Sequence, residues 1–357
     1  MEGAQAAGRR WGRLWERVKT SPAMPPSAVA ILPSNDLDLG PEREPFEVGT
    51  HYLSVDVDQI FLRDGREWLS TYQPLVWVMS ELAYDGAMQN VPFVVGAPML
   101  ADAGYKLPEG MLFTKTRVAG PHPYKGAGLN LTVILYKVET KNYGREILNL
   151  TQAVMGSLNF ATGLLSYVNV ANTLFDGVEA LVGRDTTMPV VGSRHEFESG
   201  GGFTCNHHVL IDAADVDPTG LWVKNGMLMA GRDAGDLKPY RASDFVLYSV
   251  KQSTERDDLD LLSTAPLWAR VRREAAVKGK DGWASAQGNM LVLYQELLLS
   301  PDLTERQAQA LADEYDQRMV TIHDKIPRLQ PTKLGPGEAS RDPMQRVREK
   351  SVAVLRP

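Results

Sequence analysis

A thiol and two imidazoles fall within four residues, Cys205-Asn206-His207-His208, and a further imidazole, His195, lies ten residues upstream of Cys205. Such side chains can hold zinc or form a cysteine–histidine nucleophile pair. Structural zinc needs four ligands, usually in recognisable pairs, and the sequence has no second CxxC or HxxxH. A nucleophile pair needs the imidazole about 3 Å from sulfur, whereas same-face neighbours on a strand sit about 6–7 Å apart. If the segment is a strand, Cys205 and His207 share a face with Phe203, Val209 and Ile211, and His208 points away. The expectation is therefore a small buried thiol beside strand histidines, with Cys205, His207 and His195 as the residues to watch for a metal and no cofactor implied.

Carboxylates form a second group. Asp56 with Asp58, the set Asp212, Asp215 and Asp217, and the pair Asp233 and Asp236 lie near the ends of predicted strands. Sandwich domains that bind calcium collect acids from such loops. The helix–loop–helix spacing with its glycine and terminal glutamate is missing, so solvated loop acids are expected. There is also no GxSxG elbow, no GxxxxGK[ST] loop and no complete dinucleotide fingerprint, and His195-Glu196 lacks the second histidine of a metalloprotease helix.

Two segments suggest surfaces rather than chemistry. Residues 9–19, RRWGRLWERVK, place Trp11 and Trp15 with Leu14 and Val18 on one helical face and arginines around the other. That pattern suits an anionic membrane or a partner's groove, or the segment docks on its own acidic body or has no role. Eleven residues are too few to hold a helix alone in water. Between Ile147 and Phe175 the only ionisable side chain is Tyr167. Leu164, Tyr167, Val168, Leu174 and Phe175 recur at helical spacing, so a two-helix insertion is predicted over 146–183. Its asparagines would be costly in lipid without partners. The expectation is a pair packed by protein, sheet or subunit, with a membrane-entering hairpin as the alternative.

Elements that would carry these residues can be read from periodicity. Residues 51–62 alternate, as do 111–118. Residues 74–82, 92–96, 128–140, 188–197, 203–212 and 244–250 are apolar or β-branched runs, and Asn225-Gly226 inside 221–231 is a strong hairpin signal. Helices are predicted from Pro266 to about 278, over 283–300, and from Thr304, where Thr304 to Gln307 has capping-box spacing. Strands do not alternate strictly with helices, so the predicted class is α+β. It comprises a mostly antiparallel, β-sandwich-like body with the two-helix insertion and a helical C-terminal part. The boundaries read as a flexible arm and proline-rich linker at 1–45, a β-rich domain at 46–253, a three-helix part at 254–325 and a disordered basic tail at 326–357.

Composition bounds the rest. The 357 residues carry a formal charge of −6, yet residues 1–20 hold five basic side chains against two acidic ones. The acidic body argues against nucleic acid. One cysteine excludes an internal disulfide and fits a cytoplasmic setting. The expectation is a non-enzymatic interaction or accessory protein within a larger intracellular assembly, through a protein partner or self-association. A membrane-associating or pore-forming protein is the alternative, and a hydrolase or metal enzyme around Cys205 and His207 the second.

Overall fold

Period-2 alternation becomes antiparallel sheet wherever it was read. The computed structural model describes residues 28–63, 66–67, 70–84, 87–96, 111–126, 128–139, 187–197, 203–213, 216–277 and 280–325. Its strands are β1 (Ala28–Ala30), β2 (Tyr52–Phe61), β3 (Arg66–Glu67), β4 (Ser70–Tyr84), β5 (Ala87–Gly96), β6 (Met111–Pro123), β7 (Leu129–Glu139), β8 (Thr187–Phe197), β9 (Asn206–Ile211), β10 (Leu221–Lys224), β11 (Met227–Ala230), β12 (Lys238–Pro239) and β13 (Phe245–Ser253). Three helices follow: α1 (Ala265–Ala275), α2 (Lys280–Leu299) and α3 (Glu305–Lys325). The chain is thus α+β, with antiparallel sheets and a helical C-terminal part.

Among the described residues one sheet has the order β1-β9-β13-β2-β6, a second joins β3, β4, β7 and β8 in that order with β5 on β4, and β10, β11 and β12 form a small third. A single core takes Val55 and Val57 from β2, Val246 and Tyr248 from β13, and the apolar residues of β4, β5, β7 and β8. Two facing sheets share that core, which is the sandwich the alternation implies. Residues on both faces of β7 are buried, Leu131 and Val133 as well as Ile134 and Tyr136, as its unbroken apolar run requires. The other face of the first sheet has its own smaller core. There Val209, Ile211, Phe245 and Leu247 meet Leu221, Val223 and Leu228 of the β10–β11 hairpin.

The hairpin turns at Asn225-Gly226, both with positive φ (55° and 71°), the conformation this dipeptide tolerates best. Asp38 fixes the turn from outside, its carboxylate accepting the Asn225 N–H at 2.7 Å and the Gly226 N–H at 2.5 Å.

Proline content predicts a linker through residue 45, but from Ala28 on the chain is part of the body. Ala28–Ala30 pairs with Leu210, Val209 and His208 of β9. Asn35 donates to the Thr219 and Leu221 carbonyls, and Leu37 N–H to the Val223 carbonyl. The prolines do not prevent this, because Pro33 opens a 3-10 turn, where its missing N–H is no loss. The predicted insertion at 146–183, the opening arm and the tail lie outside the described residues.

The chain divides into two compact units. The first takes the residues up to Ala265 with Gln295–Leu311, the second Pro266–Tyr294 and the residues from Ala312 on. In the second unit Trp268 of α1 stacks on Tyr315 of α3, with centroids 4.2 Å apart and planes within 6°. In the first, the start of α3 is only half a capping box. Thr304 Oγ1 accepts the Gln307 N–H as the spacing predicts (3.2 Å). The Thr304 N–H donates instead to the hydroxyl of Tyr52 on β2 (2.9 Å), and the Gln307 side chain turns to the Arg256 backbone.

Candidate functional site

β9 carries two adjacent histidines, so strand geometry sends one to each side of the first sheet. His207 enters a charged cluster. Its Nδ1 lies 2.8 Å from Asp36 Oδ2, in a hydrogen bond, and its Nε2 3.8 Å from Asp58 Oδ2. Arg43 Nη2 reaches the same Asp36 oxygen at 2.9 Å, while its Nη1 donates to the Cys205 carbonyl. On the far side, Lys251 Nζ sits 2.7 Å from Asp56 Oδ2 and 3.5 Å from Asp58 Oδ1. Three side chains of this chain, Asp36, His207 and Asp58, are at most 3% exposed.

Burial alone would raise both carboxyl groups, and the neighbours decide each outcome. Burial raises Asp36, but the His207 hydrogen bond and charge, the Leu39 N–H and Arg43 outweigh it and hold the group below the carboxylate range. For Asp58 burial prevails over Lys251, and its carboxyl is pushed up. Burial would lower Lys251, but Asp58 and Asp56 reverse that and hold its ammonium above the ordinary range. Only the Asp36–His207 half is hydrogen bonded; at 3.8 Å Asp58 is beyond hydrogen-bond reach of the imidazole, so the three groups do not form a continuous proton relay. The cluster is closed off from solvent at Asp36, His207 and Asp58, and it fastens residues 36–43 to β9 and links β9 to β2 and β13.

His208, on the other side, sits among rings. It stacks on Tyr248 at 5.4 Å, meets Phe197 edge-on at 5.2 Å and lies 5.2 Å from His195. Burial, with His195, His207 and Arg43 adding to it, drops its pKa to about 3, so this imidazole is neutral. The structure therefore places His195 beside His208, not with His207. Cys205 also departs from the expected face. It precedes β9, so strand parity does not extend to it. With Phe203 it packs against the main core, and its sulfur accepts the Gln252 N–H at 3.2 Å. Burial pushes this thiol up, away from the thiolate a nucleophile needs. Among the described residues no group of three histidine, cysteine or acidic side chains is arranged to hold a metal.

The acids are split as well. Asp56 and Asp58 do not behave as solvated loop residues but face Lys251. Asp217 and Asp233 do, each accepting an N–H two residues on. Sequence reasoning missed Asp36 because an acid in a proline-rich stretch is ordinarily solvated, and it missed Lys251 because only the β2–β13 register sets it beside Asp56.

The interaction candidates Trp11, Trp15, Leu164, Tyr167, Val168, Leu174 and Phe175 lie outside the described residues. A different surface stands out on α2. Its inner side is apolar and buried: Ala286, Met290, Leu293 and Leu297. Its outer side is apolar too, with Leu291 62% and Leu299 81% exposed, and Val292, Tyr294 and Leu298 exposed beside them. Between Met290 and Leu299 only Gln295 and Glu296 are polar. An ordinary surface helix has one apolar stripe; one that is apolar all round is normally covered on both sides. No described helix is long and apolar enough to cross a membrane.

Comparison with protein-family models, with curated proteins and with solved structures gave no match to this chain. The functional reading therefore rests on the molecule itself.

Proposed function

We propose that this chain is a non-catalytic component of a larger intracellular assembly, and that it meets protein through the outer face of α2. One observation carries the reading: α2 is apolar on opposite sides, and the side away from Ala286, Met290, Leu293 and Leu297 is exposed. A patch of large side chains of this kind on a soluble surface marks an interaction site. The single cysteine fits a reducing compartment, hence a cytoplasmic setting. Chemistry is disfavoured by the state of the polar groups, since the thiol is raised by burial and His207 is enclosed by counter-charges.

The test is co-purification of a tagged full-length chain from its host, beside a Leu291→Glu/Leu298→Glu variant. Both positions are exposed, so the variant should fold with a stability within about 0.5 kcal/mol per substitution of the parent. The reading expects binding, to itself or to another protein, that the variant loses. A folded variant that keeps the parent's full set of associations would remove α2 from the account.

A further inference from the structure

Asn225 and Gly226 are the only Asn-Gly pair in the sequence. In such a pair the glycine nitrogen can attack the asparagine side-chain carbonyl carbon, because no side chain on the glycine hinders the approach. A bond forms between Gly226 N and Asn225 Cγ, the Cγ–Nδ2 bond breaks, and ammonia leaves with the proton given up by the glycine nitrogen. Water then opens the cyclic imide at either carbonyl, leaving aspartate or isoaspartate. We infer that Asn225 is a latent site of this spontaneous modification, and that the Asp38 carboxylate is the group that holds it inactive.

The hairpin cannot avoid the reactive pair. Both positions lie in the left-handed region, with φ of 55° and 71°, where asparagine followed by glycine is the favoured choice. Asn225 is exposed, so water reaches its amide and burial does not protect it. Protection has to come from the backbone and its partners.

Two features oppose ring closure. Left-handed backbone has ψ near about +47°, which sets Gly226 N roughly opposite Asn225 Cβ about the Cα–C bond, whereas ring closure needs the two nearly eclipsed. Asn225 must therefore rotate out of the turn before it reacts. Asp38 resists that rotation, because its Oδ1 accepts the Asn225 N–H at 2.7 Å and its Oδ2 the Gly226 N–H at 2.5 Å. The peptide groups on both sides of Asn225 are thus tied to one carboxylate. The attacking nitrogen also faces that carboxylate, which opposes the negative charge it would gain on losing its proton.

Asp38 is itself fixed. Leu37 N–H donates to the Val223 carbonyl of β10, and Asp36 Oδ1 accepts the N–H groups of Asp38 and Leu39 at 3.3 and 3.1 Å. The cluster that holds Asp36, with Arg43 and His207, therefore also positions the carboxylate on the turn. Isoaspartate would add a backbone carbon to this two-residue turn. Lys224 and Met227 are register partners on either side of it, and Val223 and Leu228 beside them fill the smaller core, so the added length would disturb that pairing.

Peptide mapping by mass spectrometry, with asparagine, aspartate and isoaspartate at 225 resolved by chromatography, measures the rate. One mildly alkaline buffer serves the folded parent, the parent unfolded in guanidinium chloride, and Asp38→Ala with its fold checked by circular dichroism. The unfolded chain and folded Asp38→Ala should each convert at least about tenfold faster than the folded parent, the factor that losing one hydrogen bond to a charged group implies. Amide exchange at Gly226 should quicken in the same variant. A folded parent that converts as fast as the unfolded chain would overturn the latent site. Folded Asp38→Ala reacting at the parent's rate, or more slowly because the carboxylate had acted as a base, would overturn the role of Asp38. If Asp38→Ala does not fold, Asp38→Asn, whose amide oxygen accepts one N–H in place of two, should react at an intermediate rate, and the parent's rate there would overturn that role equally.

Discussion

Mild acid should loosen this protein through two buried histidines. His122 and His208 are both pushed down to about 3, by burial first; for His122 the Arg256 charge adds to it, against Asp258. His122 also needs its lone pair, because its Nε2 accepts the Gly120 N–H at 3.0 Å. Both folded values lie below the ordinary 6.5, so the unfolded chain takes up protons that the folded chain refuses. Stability is intact above about pH 6.5 and is lost as pH falls toward 3. At pH 5 the loss is about 2 kcal/mol per imidazole, about 4 kcal/mol for the two, against a total of roughly 5–15 kcal/mol for a folded domain. His195 acts in the same direction but is half-buried, so solvent screening keeps its share small. Asp36 and Asp258, both lowered, lose their contribution only below about pH 4. Asp58 and Asp212, both raised by burial, act the other way as pH falls and offset part of the histidine loss, so the histidine share is read from the variant that follows. Urea unfolding followed by circular dichroism at those two values measures the difference. His208→Phe keeps a ring between Tyr248 and Phe197 but cannot take a proton, and His208 Nδ1 has no hydrogen-bond partner for the phenyl ring to forfeit. The variant should show about half the parent's loss. Equal parent stability at the two pH values, or a variant with the parent's full pH response, would refute the reasoning.

Other consequences are local. Asp36→Asn leaves the buried Arg43 guanidinium without its carboxylate and weakens the hydrogen bond to His207, and should cost about 3–5 kcal/mol in urea unfolding; a change under about 1 kcal/mol would mean that the network does not fasten residues 36–43. Tyr52→Phe removes the hydroxyl that accepts the buried Thr304 N–H, a loss of about 1–3 kcal/mol, visible as a lower Tm and faster amide exchange at the start of α3. Gly120→Ala should be severe, at least about 3 kcal/mol: its φ is +85° and the new Cβ would lie 2.3 Å from the Leu53 carbonyl oxygen, a backbone atom that cannot move aside. Soluble, parent-like Gly120→Ala would contradict that geometry.

What the sequence made legible follows from the range of the forces involved. Alternation in 51–62, the Asn225-Gly226 turn and the Thr304–Gln307 cap are decided within a few residues, and each appears where its pattern stands. The partners of those elements are decided across the chain. Asp36 and His207 are 171 positions apart, and Tyr52 and Thr304 252. No local pattern marks Asp36 as the anchor that turns an apparent linker into part of the body, nor Tyr52 as the group that displaces half a capping box. Cys205 shows the opposite error: strand parity was carried one residue past the point where the strand begins. The outer face of α2 was legible in MLVLYQELLL, where almost nothing polar is left to face water. Its meaning depended on knowing which side Met290, Leu293 and Leu297 had already filled.

The direct measurement is photo-cross-linking in the host cell, with a benzophenone amino acid at Leu291 of α2 and, as control, at the exposed Val277. The account predicts a discrete cross-linked protein species from position 291, a second copy of the chain or another polypeptide, and none of comparable yield from position 277. Position 291 yielding only the uncoupled chain, or a smear identical to that from 277, would contradict it.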